Sequence, residues 1–368
     1  MRYIYQHKNW PRFVWDNDKL MVVLSQVRNK QGLLMGKLAL LGFDFKNDAF
    51  FKTLTLDVLK TSEIESEFLD IHQVRSSVAR HLGIDAVGLV PSDRNVDGIV
   101  EMMLDATQKY AEPLTKERLF DWHGSLFPTG RSGMYPIKVA DWRADTTGPM
   151  QVISGPMGME KVHFQAPDSN EIQAEMAVLF DWINADIPID PVMKAALVHL
   201  WFITIHPFDD GNGRIARAIT DMLLARSDAS PQRFYSMSAQ IRVERKQYYD
   251  ILEKTQKGDL DVTNWLVWFL ECLLKSVLEA DHTLESVLDK SKFWTLHAQT
   301  ILNERQRKMV NKLMDDFDGK LTSSKWAKIT KCSADTALRD IQDLVQKKIL
   351  KKELAGGRST NYEMNIEK

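Results

Sequence analysis

Only two cysteines, Cys272 and Cys332, occur among 368 residues. Neither has a partner at metal-ligand spacing, which excludes a disulfide framework and a structural zinc site and leaves two reduced thiols. Long apolar runs are missing too: the most apolar stretch, Trp265 to Leu274, is interrupted by Glu271 and is too short to span a bilayer. Met1 to Phe13 carries Arg2, Lys8 and Arg12 without an apolar segment, so no secretory signal is expected. Repeats, low-complexity tracts and long runs of like charge are absent, which argues against a solenoid or a disordered tail. His81, His123, His163 and His199 lack the paired spacing of metal ligands and read as satisfied or exposed side chains. These exclusions leave a cytoplasmic chain without a membrane partner. It is 44% hydrophobic and 27% charged, enough for two or three domains with cores of their own.

Charge is unevenly shared. From Glu304 onward 15 Lys plus Arg stand against 10 Asp plus Glu, whereas the 303 residues before it hold 33 against 40. The basic tail therefore reads as a separate module.

The densest chemistry lies in one stretch, His206-Pro207-Phe208-Asp209-Asp210-Gly211-Asn212-Gly213-Arg214-Ile215-Ala216-Arg217. It follows the apolar segment Ala195 to Ile205 and precedes Ile215, Ala218, Ile219, Met222 and Leu223 at helical spacing, so the glycines occupy a turn that opens a second helix. Gly211 and Gly213 let the backbone approach an anion, and the amides and positive dipole end of the following helix favour a phosphate. A histidine, a carboxylate and two guanidiniums complete a phosphoryl-chemistry site. Phe208 reads as a packing anchor, and Asp209 has no evident role.

The order of these residues resembles the signature of the Fic (Doc-related) superfamily, His-x-Phe-x-(Asp/Glu)-Gly-Asn-Gly-Arg-x-x-Arg, and every fixed position is met. The resemblance implies transfer of AMP from ATP to a hydroxyl of a protein. In it His206 takes the proton from the target hydroxyl and Asp210 ligates Mg²⁺. Asn212 with the amides of Gly211 and Gly213 holds the α-phosphate, while Arg214 and Arg217 grip the outer phosphates. Each role is chemically sound, because nucleotidyl transfer rests on positioning and on neutralising phosphate charge, and Mg²⁺ arrives with phosphate oxygens among its ligands.

Upstream, Tyr3 to Tyr5 and Phe13 to Trp15 read as short strands around Pro11, followed by a helix from Lys19, a break at Gly42 to Lys46 and a helix from about Asp48 to Ser66 that buries Leu54, Val58, Leu59 and Ile64. This opening resembles the uncharacterised N-terminal domain that often precedes a Fic domain. Thr61-Ser62-Glu63-Ile64-Glu65-Ser66 resembles the Fic inhibitory motif (Ser/Thr)-x-x-x-Glu-(Gly/Asn), with Ser66 where Gly or Asn is expected. In that reading Glu65 reaches Arg217 and fills the fork meant for the γ-phosphate. The alternative is that Glu63, Glu65 and Glu67 form the solvated face of an amphipathic helix.

Helical spacing recurs over Val96 to Tyr110, Thr115 to Phe127, Glu171 to Asn184, Pro191 to Ile205, Ile241 to Lys254 and Asp261 to Leu284. Met150 to Ser154 and Lys161 to Gln165 flank Gly155-Pro156-Met157-Gly158 and form a hairpin. It resembles the flap that holds the target segment in Fic proteins, and it also fits an ordinary hairpin covering a bundle. Tyr248 or Tyr249 is placed to stack on adenine, although such a pair on a helix is more often one packed and one exposed.

The tail offers helices over Arg305 to Phe317, Ser324 to Ile329 and from Ser333 through Lys348. Two strands, Ile349 to Leu354 and Asn361 to Met364, then flank the turn Ala355-Gly356-Gly357-Arg358. This resembles a winged helix-turn-helix, with Arg358 on the wing; Asp335, Asp340 and Asp343 dilute its basic face, so target docking, homodimer formation and DNA binding all stay open. The expected fold is mainly α: a helical domain over 1–95, a Fic core with flap over 96–285 and a winged helix over 303–368. The expected function is protein adenylyltransferase, acting on a target protein and on itself, restrained by Glu65. The alternatives are removal of AMP, transfer of another nucleotidyl group, or DNA-binding regulation.

Overall fold

Amphipathic spacing yields helices along most of the chain. The computed structural model describes residues 3–39, 43–84, 89–146, 148–156, 158–314, 317, 319–353 and 360–365. The chain forms two compact units, 1–281 and 282–368.

In the first unit, α1 (Asn17–Ala39) buries Leu20, Val27, Gln31, Leu34 and Leu38 along one stripe. α2 (Phe43–Ile64) starts ahead of the expected Asp48; Leu54, Val58 and Ile64 are buried as expected, and Leu59 only partly. α3 (Ile71–Leu82) was not anticipated, although Asp70 caps it by accepting the His72 and Gln73 amides and Gly83 ends it at φ +65°. α4 (Arg94–Gln108) and α5 (Lys116–Leu126) follow as expected. A small hairpin, β1 (Arg131–Ser132) with β2 (Tyr135–Pro136), was not foreseen. The expected hairpin is β3 (Gln151–Ser154) with β4 (Lys161–Gln165), antiparallel and bulged between Val152 and Ile153.

α6 (Ile172–Asn184) leads to α7 (Pro191–Ile205), buried without interruption from Ala195 to Ile205. A helix apolar all round belongs at a centre, and α7 packs along α8 (Asn212–Asp228). The helix expected over Ile241 to Lys254 is two, α9 (Met237–Val243) and α10 (Arg245–Gln256). Glu244 breaks them at φ −97°, ψ 23°, its carboxylate held by Lys275 of α11 (Thr263–Leu296). The expected N-terminal strands are also corrected. Ile4–Gln6 is a 3-10 turn closed by the Gln6 side chain on the Tyr3 amide, and Val14 makes a single bridge to Asp261, because neither segment has a full strand to pair with.

The second unit holds α12 (Glu304–Met314), α13 (Ser323–Thr330), α14 (Ala334–Gln346) and the antiparallel pair β5 (Leu350–Lys352) and β6 (Tyr362–Met364). Met309, Val310, Trp326, Ile341, Leu344 and Tyr362 form its core, and Ser333 caps α14 as expected. Asp340 is bound by Arg305 and Asn303 and Asp343 by Gln306 and Lys347, so the two carboxylates offset two of the basic side chains of this unit. The turn with Arg358 lies outside the described residues. No helix among the described residues is long and apolar enough to cross a membrane.

Candidate active site

The end of α7 fixes His206. It adopts a left-handed conformation, φ 52° and ψ 60°, while its amide still bonds the Phe202 carbonyl. That reversal costs a residue with a Cβ about 1 kcal/mol, so the surroundings must hold it. Its Nδ1 faces the Ile203 carbonyl at 3.3 Å. A carbonyl only accepts, so Nδ1 carries the proton and the Nε2 lone pair is left to act as base. Burial pushes the His206 pKa down to about 4; the Ile203 carbonyl pulls it up, the Arg143 charge lowers it, and Glu65 and Asp210 raise it. The imidazole is therefore neutral at physiological pH, as a base must be.

The turn after it is tied internally. The Asn212 side chain accepts from the Phe208 amide at 3.0 Å and donates to the Phe208 carbonyl at 2.8 Å. Asn212 thus holds the loop with its side chain, and only its amide is left for a phosphate. Phe208 is fully buried, stacked on His123 at 4.1 Å between ring centroids, as an anchor should be. Gly211, at φ +82°, turns its amide onto Asp210 Oδ1 at 2.6 Å, and an added Cβ would meet Phe127 at 2.8 Å. The first helical bond of α8 runs from the Ile215 amide to the Gly211 carbonyl, which leaves the amides of Asn212, Gly213 and Arg214 without a partner in the helix.

Asp210 and Asp209 part company. Asp210 is 42% exposed, accepts from Ser132 Oγ and lies 3.9 Å from Arg214. Asp209 accepts the Lys138 amide at 2.9 Å and is a loop tether. Among the described residues no three His, Cys, Asp or Glu side chains converge as a metal centre. A single half-exposed carboxylate at the mouth of the turn fits Mg²⁺ that brings phosphate oxygens with it.

The two arginines are buried, Arg214 at 3% and Arg217 at 2% exposure, on the face of α8 turned to α2. Arg217 donates from Nε to Thr61 Oγ1 at 2.7 Å, and from Nη2 to the Thr61 carbonyl at 2.9 Å and to Glu65 Oε1 at 2.7 Å. Its Nη1 is buried without a partner. A Cβ placed on Gly213 would meet Glu65 Oε1 at 2.1 Å and Arg217 Nη1 at 3.2 Å. The Glu65 carboxylate thus occupies the space that Gly213 leaves open at the start of α8, where an anion is favoured.

Ser66 is left-handed, φ 65°, the conformation Gly or Asn would take with least strain. All three marked positions of the 61–66 segment therefore have a physical reason. None of the three nearby carboxylates is merely solvated. Glu63 pairs with Lys60 and Arg242, Glu65 with Arg217, and Glu67 with Arg214 at 2.6 Å. Burial raises the Glu67 pKa, the Arg214 charge opposes this, and Asp210 and Glu65 add to the rise. Sequence reasoning missed Glu67 as a partner because its donor, Arg214, comes within reach only when the segment after α2 turns back. It also missed Arg245, whose Nε bonds the Ile64 carbonyl at 2.7 Å and clamps the end of α2.

Tyr248 cannot stack on a nucleotide: it is 1% exposed, with its hydroxyl on His199 Nε2 at 2.8 Å. Tyr249 is the accessible one of the pair, 37% exposed with its hydroxyl 3.5 Å from Glu65. His123 and His163 are satisfied. His123 accepts the Ala140 amide on Nδ1 and faces the Asp210 carbonyl through Nε2, its pKa pushed by burial to about 4. His163 lies between Ser154 and Glu253 at 2.5 Å each and ties β4 to α10.

Residues 113–224 match the model of the Fic/DOC family, and residues 3–84 match one described as a domain of unknown function, DUF4172. Protein adenylyltransferase fic-1 of Caenorhabditis elegans is 34% identical over 91 residues, 24% of this chain and 17% of that protein. Protein adenylyltransferase Fic of Drosophila mojavensis is 25% identical over 221 residues, 58% of this chain and 38% of that protein. The chain therefore spans less than half the length of these relatives. Among solved structures, a Fic family protein from Desulfovibrio desulfuricans matches with TM-score 0.52 and 17% identity over 94% of this chain and 95% of that one. Fic-1 of C. elegans matches with TM-score 0.51 and 20% identity over 74% of each chain. At these identities the likeness shows the fold.

Proposed function

We propose that this chain, which carries a Fic domain at residues 113–224, transfers AMP from ATP to a hydroxyl of a target protein and of itself, and that Glu65 restrains it. The observation that carries the reading is the Glu65 carboxylate lodged over Gly213 while bound to Arg217. An anion already fills the cradle, and ATP would exchange a phosphate for it.

In the reaction, the target hydroxyl gives its proton to His206 Nε2 as its oxygen bonds to the α-phosphorus. The bond to the β-phosphate bridge breaks and diphosphate leaves. The amides of Asn212 and Gly213 hold the α-phosphate oxygens, Arg214 and Arg217 take up the charge of the outer phosphates, and Tyr249 lies against the base. Mg²⁺ bound by Asp210 would neutralise phosphate oxygens and fix their orientation. The β3–β4 hairpin offers an edge along which an extended target segment pairs. The absence of disulfides supports a cytoplasmic setting. The 282–368 unit carries none of the reacting groups, and its role is docking of a target, of a second copy or of DNA.

Incubation with α-labelled ATP and Mg²⁺, of the chain alone and with cell extract, tests the reading. Label and an added AMP mass on protein are expected, more so with Glu65→Gly. A folded Glu65→Gly chain that binds ATP yet labels nothing would overturn it.

A further inference from the structure

We infer that Arg143 is a positioning residue for the base, holding His206 in its left-handed conformation so that Nε2 faces the reacting hydroxyl; the inference deepens the proposed transfer reaction and rests on it. Arg143 is 3% exposed. Its Nε donates to the His206 carbonyl at 2.8 Å, and its own amide donates to the Pro207 carbonyl at 3.0 Å. The remaining guanidinium nitrogens reach the Pro167 carbonyl at 2.5 Å and the Asp145 carboxylate. Arg143 thus grips both residues at which the chain turns out of α7, His206 through its side chain and Pro207 through its main-chain amide.

The need for such a grip follows from the backbone. His206 is followed by proline, which has no amide to donate, and its own φ is one that a residue with a Cβ avoids at a cost of about 1 kcal/mol. Without an outside partner the His206 carbonyl would be free to rotate, and the imidazole would turn with it. The planar guanidinium, locked by Asp145 and Pro167, fixes that carbonyl in one direction. The grip belongs to a wider strap. Between residues 138 and 145 the Lys138 amide holds Asp209, the Ala140 amide sets the His123 tautomer whose Nε2 meets the Asp210 carbonyl, and Trp142 packs on Phe208 at 5.4 Å.

The test uses the full chain in the Glu65→Gly background. Arg143→Lys keeps the charge and stem but loses the fork. We expect turnover to fall about ten- to a hundredfold with ATP affinity, measured by equilibrium binding, changed less than about twofold. The ¹⁵N signals of the His206 ring should shift or broaden. Turnover within about threefold of the parent, or parallel loss of turnover and ATP affinity, would overturn the inference. If the parent transfers no AMP, the functional reading fails instead, and the His206 ring signals alone decide: altered signals uphold the positioning role and unaltered ones refute it. Should Arg143→Lys fail to fold, Asp145→Asn, which unlocks the guanidinium while leaving it in place, is judged by the same measurements and should move them in the same direction.

Discussion

Residues 206–217 carry their polar groups within one loop and one helix and are braced from outside by the 138–145 strap, whereas residues 61–67 meet their partners only when α2 is packed. In the first stretch the base, the carboxylate, the glycine turn and both arginines lie within one loop and one helix, locked by Asn212 on Phe208. In the second, Thr61, Glu65 and Glu67 meet arginines about 150 positions downstream, and Arg245 of α10 must hold the Ile64 carbonyl for the segment to turn back. On the proposed reading, a contiguous catalytic turn resists change, while a brake assembled across elements can release by local movement.

The sharpest way to break the contiguous half is His206→Ala. AMP transfer should fall by about 10²- to 10⁴-fold or more, with ATP binding largely kept, because the imidazole serves the nucleophile. In the parent, protonation of a base held near 4 removes activity only as pH falls through that value, so kcat/KM should stay level well below the ordinary histidine range. A midpoint near 6.5 in the pH profile would show that binding or another group sets the rate.

Asp210→Ala should remove productive Mg²⁺ use and cost about 10²-fold or more in turnover. Asp209→Ala loses only the hydrogen bond from the Lys138 amide, about 1 kcal/mol of stability, and should titrate with Mg²⁺ as the parent does. Equal loss in both, with melting unchanged, would mean that the register of the turn has been misread.

The latch half is probed by three glutamates in one assay. Glu65→Gly frees the cradle and should raise transfer about ten- to a hundredfold, the worth of a largely shielded charge-assisted contact. Glu67 is 43% exposed where Glu65 is 30% exposed, so its pair with Arg214 is more screened and Glu67→Gly should give only about a two- to fivefold rise. Glu63, paired with Lys60 and Arg242 away from the motif arginines, should give none. Identical responses from all three would reduce the segment to a charged helix end.

What was legible follows the same division. α7, the glycine turn and α8 were readable because apolar periodicity and a contiguous motif fix them locally, and the β3–β4 hairpin because its turn residues are adjacent. The strap at 138–145 was not: Arg143 and Lys138 act through backbone groups, and a carbonyl acceptor leaves no mark in the sequence. Tyr248 was misplaced because helical spacing gives two candidate faces, and only the neighbours His199 and Trp265 show which is inside. α3 was legible in principle, since Ile71, Val74, Val78 and Leu82 lie at helical spacing after the capping Asp70, although its buried face also includes Ser76 and Ser77.

The finest comparison of the two halves is Ser66→Gly, where the effect is small and its sign is informative. In the docked latch Ser66 is left-handed at φ 65°, which disfavours a serine relative to glycine by about 1 kcal/mol. Its hydroxyl accepts from Arg245 at 3.2 Å, an exposed contact worth about 0.5 kcal/mol at most. Glycine removes the strain and that contact together and leaves the released segment more disordered, so the net gain for the docked form is a few tenths of a kcal/mol at most. Basal transfer should therefore fall by up to about twofold, whereas the same substitution in the Glu65→Gly background should do nothing, since no carboxylate is left to dock. A rise in basal transfer would show that the Arg245 contact outweighs the backbone strain. Equal effects in both backgrounds would place the action of Ser66 on general stability, and would separate it from the latch.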